Sequence, residues 1–346
     1  VDTLVKETTT VTKDVSGSLL ISAADGATLK GIQIGGDLIL APGVTKDVTL
    51  VDCVIQGNIR NYGTGEVRFE APQITPESTA TKPSEVYKPG ATLDRTLEYG
   101  GKTVPIYRDR PLNVFSDVDF IWTGEENENQ RRLEYLGGEF RTRYGIDVSS
   151  FQGEIDWDAV ADDNIDFAMV RVGFRGTGTG SLNTDKYYEQ NIRGAMRAGL
   201  ETGVYFFAQA VTVEEAIEEA DYVISLLDGL DINGPVAYDW EMHDSTYRVY
   251  GTSPEMATAC AVAFCQRIKD AGYTPMVYGG TYVTYMKYDQ GALADYLSWY
   301  PEYKSEKSEK LCPTLVYHMD YWQFSSTRAV AGINGRVDMN IQFIRR

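Results

Sequence analysis

The chain has 346 residues, 43% of them hydrophobic and 24% charged, enough apolar material for a sizeable core, which excludes both a mini-protein and a wholly disordered polypeptide. At roughly 100–200 residues per domain, the length suits two domains or one large barrel with an appendage. Acidic residues outnumber Lys and Arg by 50 to 32, a net charge of −18, and no basic stripe exists, so nucleic acid is not expected as a partner.

The opening Val1-Asp2-Thr3-Leu4-Val5-Lys6 lacks the basic-then-apolar design of a signal peptide, and the compartment has to be argued from function. No run approaches the 18 apolar residues of a transmembrane helix. Residues 15–62 repeat: aligning Thr28-Leu29 with Thr49-Leu50 sets Ile34 over Ile55, Gly36 over Gly57 and Leu38 over Ile59. Short alternating stretches at a period of about twenty residues predict a small parallel β-solenoid over residues 1–70, with an irregular β-sandwich as the alternative.

From Ala71 to Pro89 the composition turns to Pro, Thr, Ser, Glu and Lys, which reads as a linker, taken here as 71–92. Arg95–Arg108 with Gly100-Gly101, and Val118–Leu136 with a polar turn at Glu125–Gln130, read as hairpins of a connector spanning 93–143. Beyond Tyr144 strands and helices alternate. Strands are expected at Tyr144–Val148, Phe167–Val172, Gly203–Gln209, Pro235–Glu241, Thr274–Gly279, Tyr296–Tyr300, Tyr321–Phe324 and Val337–Phe343. Helices are clearest at Asp185–Ala198, Val213–Leu227 and Pro254–Ala271. Such alternation over residues 144–346 predicts an α/β fold with a TIM-like barrel, irregular in its second half where helices thin out.

In such a barrel the working groups sit at the C-terminal strand ends. The first strand ends in Asp147, the fourth in Asp239-Trp240-Glu241. Residues i and i+2 of a strand face one side about 6.6 Å apart, so Asp239 and Glu241 project together while Trp240 points away. Carboxyl groups sharing one mouth repel, and at least one then keeps its proton near neutrality as a general acid. Two carboxyl groups flanking a sugar bond are the equipment of glycoside hydrolysis. His243 continues the i, i+2, i+4 series, but with only His243 and His318 present and no paired-ligand spacing, a metal centre is not expected. Cys53, Cys260, Cys265 and Cys312 fit no zinc motif and are expected as free, mostly buried thiols.

Tyr144-Gly145-Ile146-Asp147-Val148-Ser149-Ser150-Phe151-Gln152-Gly153, Ile155-Asp156-Trp157, Phe167-Ala168-Met169-Val170-Arg171, Gly203-Val204-Tyr205-Phe206-Phe207, Asp239-Trp240-Glu241 and Val337-Asp338-Met339-Asn340 together resemble the glycoside hydrolase family 25 lysozymes over about residues 144–346. The resemblance implies eight strands with fewer than eight helices. It also implies hydrolysis of the β-1,4 bond between N-acetylmuramic acid and N-acetylglucosamine. The family's acidic set falls on Asp147, Asp239, Glu241 and Asp338. Glu241 matches the proton donor, and Asp239 the acid that steadies the substrate's acetamido group or an attacking water. Asp338 begins its strand, so that strand is either antiparallel or entered from the mouth side. Tyr205, Tyr278, Tyr321 and Trp322 are candidates for the sugar platform, each equally suited to core packing. Arg171 is expected to pair with the acids or, second, to touch substrate. The expected partner is the glycan strand of peptidoglycan, met by a secreted or wall-associated monomer without a cofactor. An inactive wall-binding protein and a related barrel glycosidase acting on chitin stay open as alternatives.

Overall fold

The computed structural model describes residues 3–6, 10–51, 53–55, 59–70, 81–124 and 131–346. The chain divides into two units, Val1–Thr79 and Ala80–Arg346.

In the first unit, Thr3–Val5, Leu19–Ile21, Leu38–Leu40 and Ile59–Asn61 form one sheet, and Thr10–Val11, Ala27–Lys30, Val48–Val51 and Val67–Glu70 a second. All pairings in both are parallel. Gln33–Ile34 pairs in parallel with Val54–Ile55. The residues that the repeat aligns are register partners: Thr28 lies beside Thr49, Ile34 beside Ile55 and Leu38 beside Ile59. Alternate apolar residues, among them Leu19, Ile21, Leu29, Ile34, Leu38, Leu40, Val48 and Leu50, are buried as one core, as strands with one inward face require.

The second unit starts before its barrel. Of the stretch expected as linker, 71–80 lies outside the described residues, but 81–92 is docked. Pro83–Val86 forms a helical turn, and Val86 and Tyr87 pack on the main core. The Thr81 N–H donates to Glu214 at 2.8 Å, the Gly90 N–H to Asp289 at 2.9 Å. Composition conceals this because backbone donors and two side chains carry the attachment. Leu93–Tyr99 pairs antiparallel with Lys102–Tyr107, and Phe120–Thr123 with Arg132–Tyr135. Val104, Ile106, Phe120 and Leu133 bury themselves in the barrel's outer core. The turn at Glu125–Gln130 lies outside the described residues.

Eight strands close the barrel: β1 (Phe140–Val148), β2 (Phe167–Arg175), β3 (Glu201–Ala208), β4 (Val236–Trp240), β5 (Pro275–Tyr278), β6 (Leu297–Pro301), β7 (Tyr321–Arg328) and β8 (Val337–Arg345). Neighbours from β1 to β7 run parallel, whereas β8 is antiparallel to both β7 and β1. The short strand Leu182–Thr184 adds to β2. Outside lie α1 (Trp157–Asp162), α2 (Tyr188–Arg197), α3 (Val213–Leu226), α4 (Pro254–Asp270) and α5 (Thr281–Met286). Side chains of Asp156, Thr212 and Ser253 accept N–H bonds at the starts of α1, α3 and α4, satisfying donors that the first turn leaves open. No helix among the described residues is long and apolar enough to cross a membrane.

Period-two alternation splits each strand between two layers. Val236, Tyr238 and Trp240 of β4 face the helices, while Ala237 joins Met169, Met276, Tyr278, Trp299 and Tyr321 inside the barrel. A Cβ on Gly145 would stand 2.3 Å from the Phe167 ring, so only glycine lets β1 and β2 pair at that level. All four cysteines are free thiols.

Candidate active site

The strand ends bring Asp147, Asp239, Glu241 and Asp338 into one mouth. Because β8 is antiparallel, its first turn lies at the end where β1 finishes, and Asp338 is the register partner of Asp147. This settles the geometry that left Asp338 ambiguous. Asp239 follows the inward positions of β4, and Glu241 stands just past the strand's end.

Asp147 is buried, and its Oδ2 accepts from Gln323 Nε2 at 2.9 Å and Asn340 Nδ2 at 2.8 Å. Burial pushes its pKa up to about 6 against the pull of those two amides. Asp338 rises to about 8, by burial first and then by the charge of Asp147. Asp239 lies well above the ordinary carboxylate range, through burial and then the charges of Glu241 and Asp147. The cluster therefore holds protons at neutral pH, because taking charge out of water and adding like charge both favour the neutral acid. Asp239 Oδ1 has no hydrogen-bond partner among the described residues.

Glu241 is placed differently. Its side chain is 25% exposed and lies 2.9 Å from His243 Nε2. Of the four acids it alone lines the adjoining groove of about 350 Å3, with Tyr278, Tyr282, Pro301 and Tyr303. Its backbone is fixed from behind, where Gln209 Nε2 donates to the Glu241 carbonyl at 2.8 Å. Trp240, facing outward, donates from Nε1 to Ala210 O at 3.0 Å.

The aromatic candidates separate. Tyr278 lines the groove, donating from its hydroxyl to Gln323 Oε1 at 3.1 Å. Tyr205 lies inside the barrel against Trp299, close enough to the acids that Asp147, Asp239 and Asp338 all raise its pKa after burial does. Tyr321 is inside but at the opposite end, its hydroxyl accepting from Gln342 at 2.7 Å and its ring meeting Phe167. Trp322, next along β7, points outward, packs on Phe120 and Phe324 and has 0% exposure. Neither Tyr321 nor Trp322 offers a ring face to a sugar, so both leave the platform; one residue of alternation and one level of depth are the reasons. Arg171 does not pair with the four acids. It binds Asp185 at 2.8 Å and Ser150 Oγ at 3.2 Å, holding the loop after β1, and only its field reaches Asp239.

Sequence reasoning gave the amides no role. Gln323 joins Asp147 to the hydroxyls of Tyr278 and Tyr303, and Asn340 joins Asp147 to Trp299 Nε1. The signal was available: Gln323 is two positions beyond inward Tyr321, and Asn340 two beyond Asp338. Tyr303 follows β6 in a loop, where no periodicity points to it.

The profile of Glycosyl hydrolases family 25 matches residues 146–333. The autolytic lysozyme of Clostridium acetobutylicum is 25% identical over 197 residues, 57% of this chain and 54% of that protein. Lysozyme M1 of Streptomyces globisporus is 27% identical over 201 residues, 57% of this chain and 66% of that protein. The chain thus spans about half the length of the autolytic lysozyme. Among solved structures, the spore cortex lytic enzyme SleM of Clostridium perfringens superimposes with a TM-score of 0.50 at 23% identity, covering 58% of this chain and 67% of its own; that likeness speaks for the fold. With its profile spanning more than half of the residues, and with an eight-stranded barrel of few helices beneath it, the chain belongs to glycosyl hydrolases family 25.

Proposed function

We propose that the chain is an N-acetylmuramidase that cleaves the β-1,4 bond between N-acetylmuramic acid and N-acetylglucosamine in peptidoglycan, with Glu241 as general acid. The observation that carries the assignment of Glu241 is its position: it is the one acid of four at the groove wall, where a glycosidic oxygen can reach it. The lysozymes of C. acetobutylicum and S. globisporus, as family relatives, support the substrate class.

Glu241 protonates the leaving oxygen. Burial first, and then the charge of Glu241, raises the pKa of Asp239. When Glu241 carries the proton, that repulsion vanishes and Asp239 can take up charge as the substrate's acetamido group becomes positive. Asp239 Oδ1, buried and without a hydrogen-bond partner among the described residues, is the oxygen proposed to meet the acetamide. Asp147 and Asp338 share a proton beneath them, and the two amides fix Asp147 in place. Tyr278, Tyr282 and Tyr303 line the sugar groove. This division implies attack by the acetamido oxygen and net retention at the anomeric carbon.

The first unit is proposed as a short β-solenoid, supported by its parallel pairings at offsets near twenty residues, and the enzyme as a secreted or wall-associated monomer. The test of the reaction is digestion of purified peptidoglycan followed by borohydride reduction. New reducing ends on N-acetylmuramic acid are expected; new ends on N-acetylglucosamine, or cleavage of chitin oligomers alone, would contradict the reading.

A further inference from the structure

A cavity of about 400 Å3 opens in the outer wall of the barrel, between the Leu93–Tyr107 hairpin and the starts of α4 and the loop after α5. It shares no residue with the groove at Glu241, and its size falls within the roughly 300–1,000 Å3 of small-ligand sites. Tyr87, Tyr107, Tyr285 and Tyr288 supply aromatic walls. Tyr288 is 7% exposed, yet its hydroxyl has no hydrogen-bond partner among the described residues, an arrangement that costs free energy unless something answers it.

The charges are also uncommitted. Lys287 is 9% exposed, donates to Thr252 O at 2.6 Å and forms no ion pair among the described residues. An ammonium has three N–H donors, and a buried one without a carboxylate is uncommon. Lys102, on the hairpin, has no ion pair either, and its charge adds to burial in lowering the Lys287 pKa. Asp289 also lines the cavity; its carboxylate accepts the backbone N–H groups of Gly90, Gly291 and Ala292 and forms no ion pair with either lysine among the described residues. Glu255, in the first turn of α4, also lines the cavity without an ion pair among the described residues. In a chain of net charge −18, two ammonium groups without ion pairs among the described residues stand out in one aromatic cavity.

We propose that this cavity binds the zwitterionic end of a short peptide, a carboxylate against Lys102 and Lys287, an ammonium toward Glu255, and aliphatic side chains against the tyrosines. Peptidoglycan carries such peptides on its lactyl groups, so the source of the ligand rests on the peptidoglycan reading above. Glu255 disfavours the alternative of a polyanionic wall polymer, whose repeated phosphates it would repel.

The test is calorimetric titration of the full chain with three probes: the tetrapeptide N-acetyl-L-Ala-γ-D-Glu-L-Lys-D-Ala, the same peptide amidated at its carboxylates, and glycerol phosphate. The tetrapeptide is expected to bind, amidation to weaken it at least tenfold, and Lys287→Gln and Lys102→Gln each to weaken it about tenfold. Turnover of peptide-free glycan oligomers should be unchanged in both variants. Lys102 is exposed, so Lys102→Gln keeps the test decisive should Lys287→Gln fold poorly. No binding of the tetrapeptide at millimolar concentration, or equal binding by both lysine variants, overturns the proposal. Tighter binding of glycerol phosphate, lost in the same variants, overturns it in favour of a phosphate polymer. Failure of the muramidase reading shows separately, as chitin-only cleavage by a protein that still binds the peptide.

Discussion

Glu215, Glu218 and Glu219 on α3 form a second group of carboxylates, and these are answered by cations. Arg175 binds Glu218 and Glu219 at 2.6 and 2.7 Å, and Arg248 binds Glu215 at 2.7 Å, which helps hold Glu215 below its ordinary pKa. Burial still lifts Glu219 to about 7, with Arg175 opposing it. In the mouth no Lys or Arg forms an ion pair with Asp147, Asp239, Glu241 or Asp338 among the described residues; Glu241 meets the His243 ring at 2.9 Å. Glu219 is buried like Asp147 and Asp239, although Glu218 is exposed; the partner differs. The acids of α3 are answered by guanidinium, whereas the acids proposed to exchange protons are left to amides and to one another.

Removing the cation should break the first group most severely. Arg175→Met leaves Glu219 buried beside Glu218 without compensation, and a loss of about 3–5 kcal/mol is expected, the usual cost of breaking a buried pair. Urea unfolding measures it, with activity falling only as the folded fraction falls. Asp239→Asn tests the mouth: kcat on soluble glycan is expected to drop about 10²-fold or more with the melting temperature unchanged or raised, since no pairing is lost.

A smaller effect follows from linkage. The unfolded Asp338 titrates near 4, the folded one at about 8, so the native state binds the extra proton between those values. Its contribution is fully present below pH 4 and is lost as pH rises toward 8. Asp338→Asn should therefore raise the melting temperature by a few degrees at pH 8 and leave it unchanged at pH 4. An equal gain at both pH values would contradict the assigned direction. His243→Ala should do least, changing kcat less than about tenfold, because the imidazole is 64% exposed and touches Glu241 from the solvent side.

Much of the mouth was legible before the structure. Strand alternation in β4 separates Asp239 from Trp240, and the apolar runs from Tyr144 onward mark the barrel strands within a few residues. The same rule, left unapplied to β7, sends Trp322 outward and identifies Gln323 as the inward neighbour of the acids. Depth within the barrel went unread: Tyr321 faces inward like Tyr278, but it opens β7 and so lies at the far end, as its pairing with Gln342 of β8 shows. Ion pairing was hidden too, since Asp185, the partner of Arg171, comes from the segment between β2 and α2 and shares no period with it.

The measurement closest to the central claim is single-turnover hydrolysis of a soluble peptidoglycan fragment by Glu241→Gln beside Glu219→Gln, each shown to be folded by its melting curve. Glu241→Gln keeps the side chain's shape and deletes the transferable proton, so its rate should fall by roughly 10²–10⁴, while Glu219→Gln stays within a few-fold of the parent. Near-parent turnover by a folded Glu241→Gln protein, or an equal loss in both variants, would contradict the division between the two carboxylate groups.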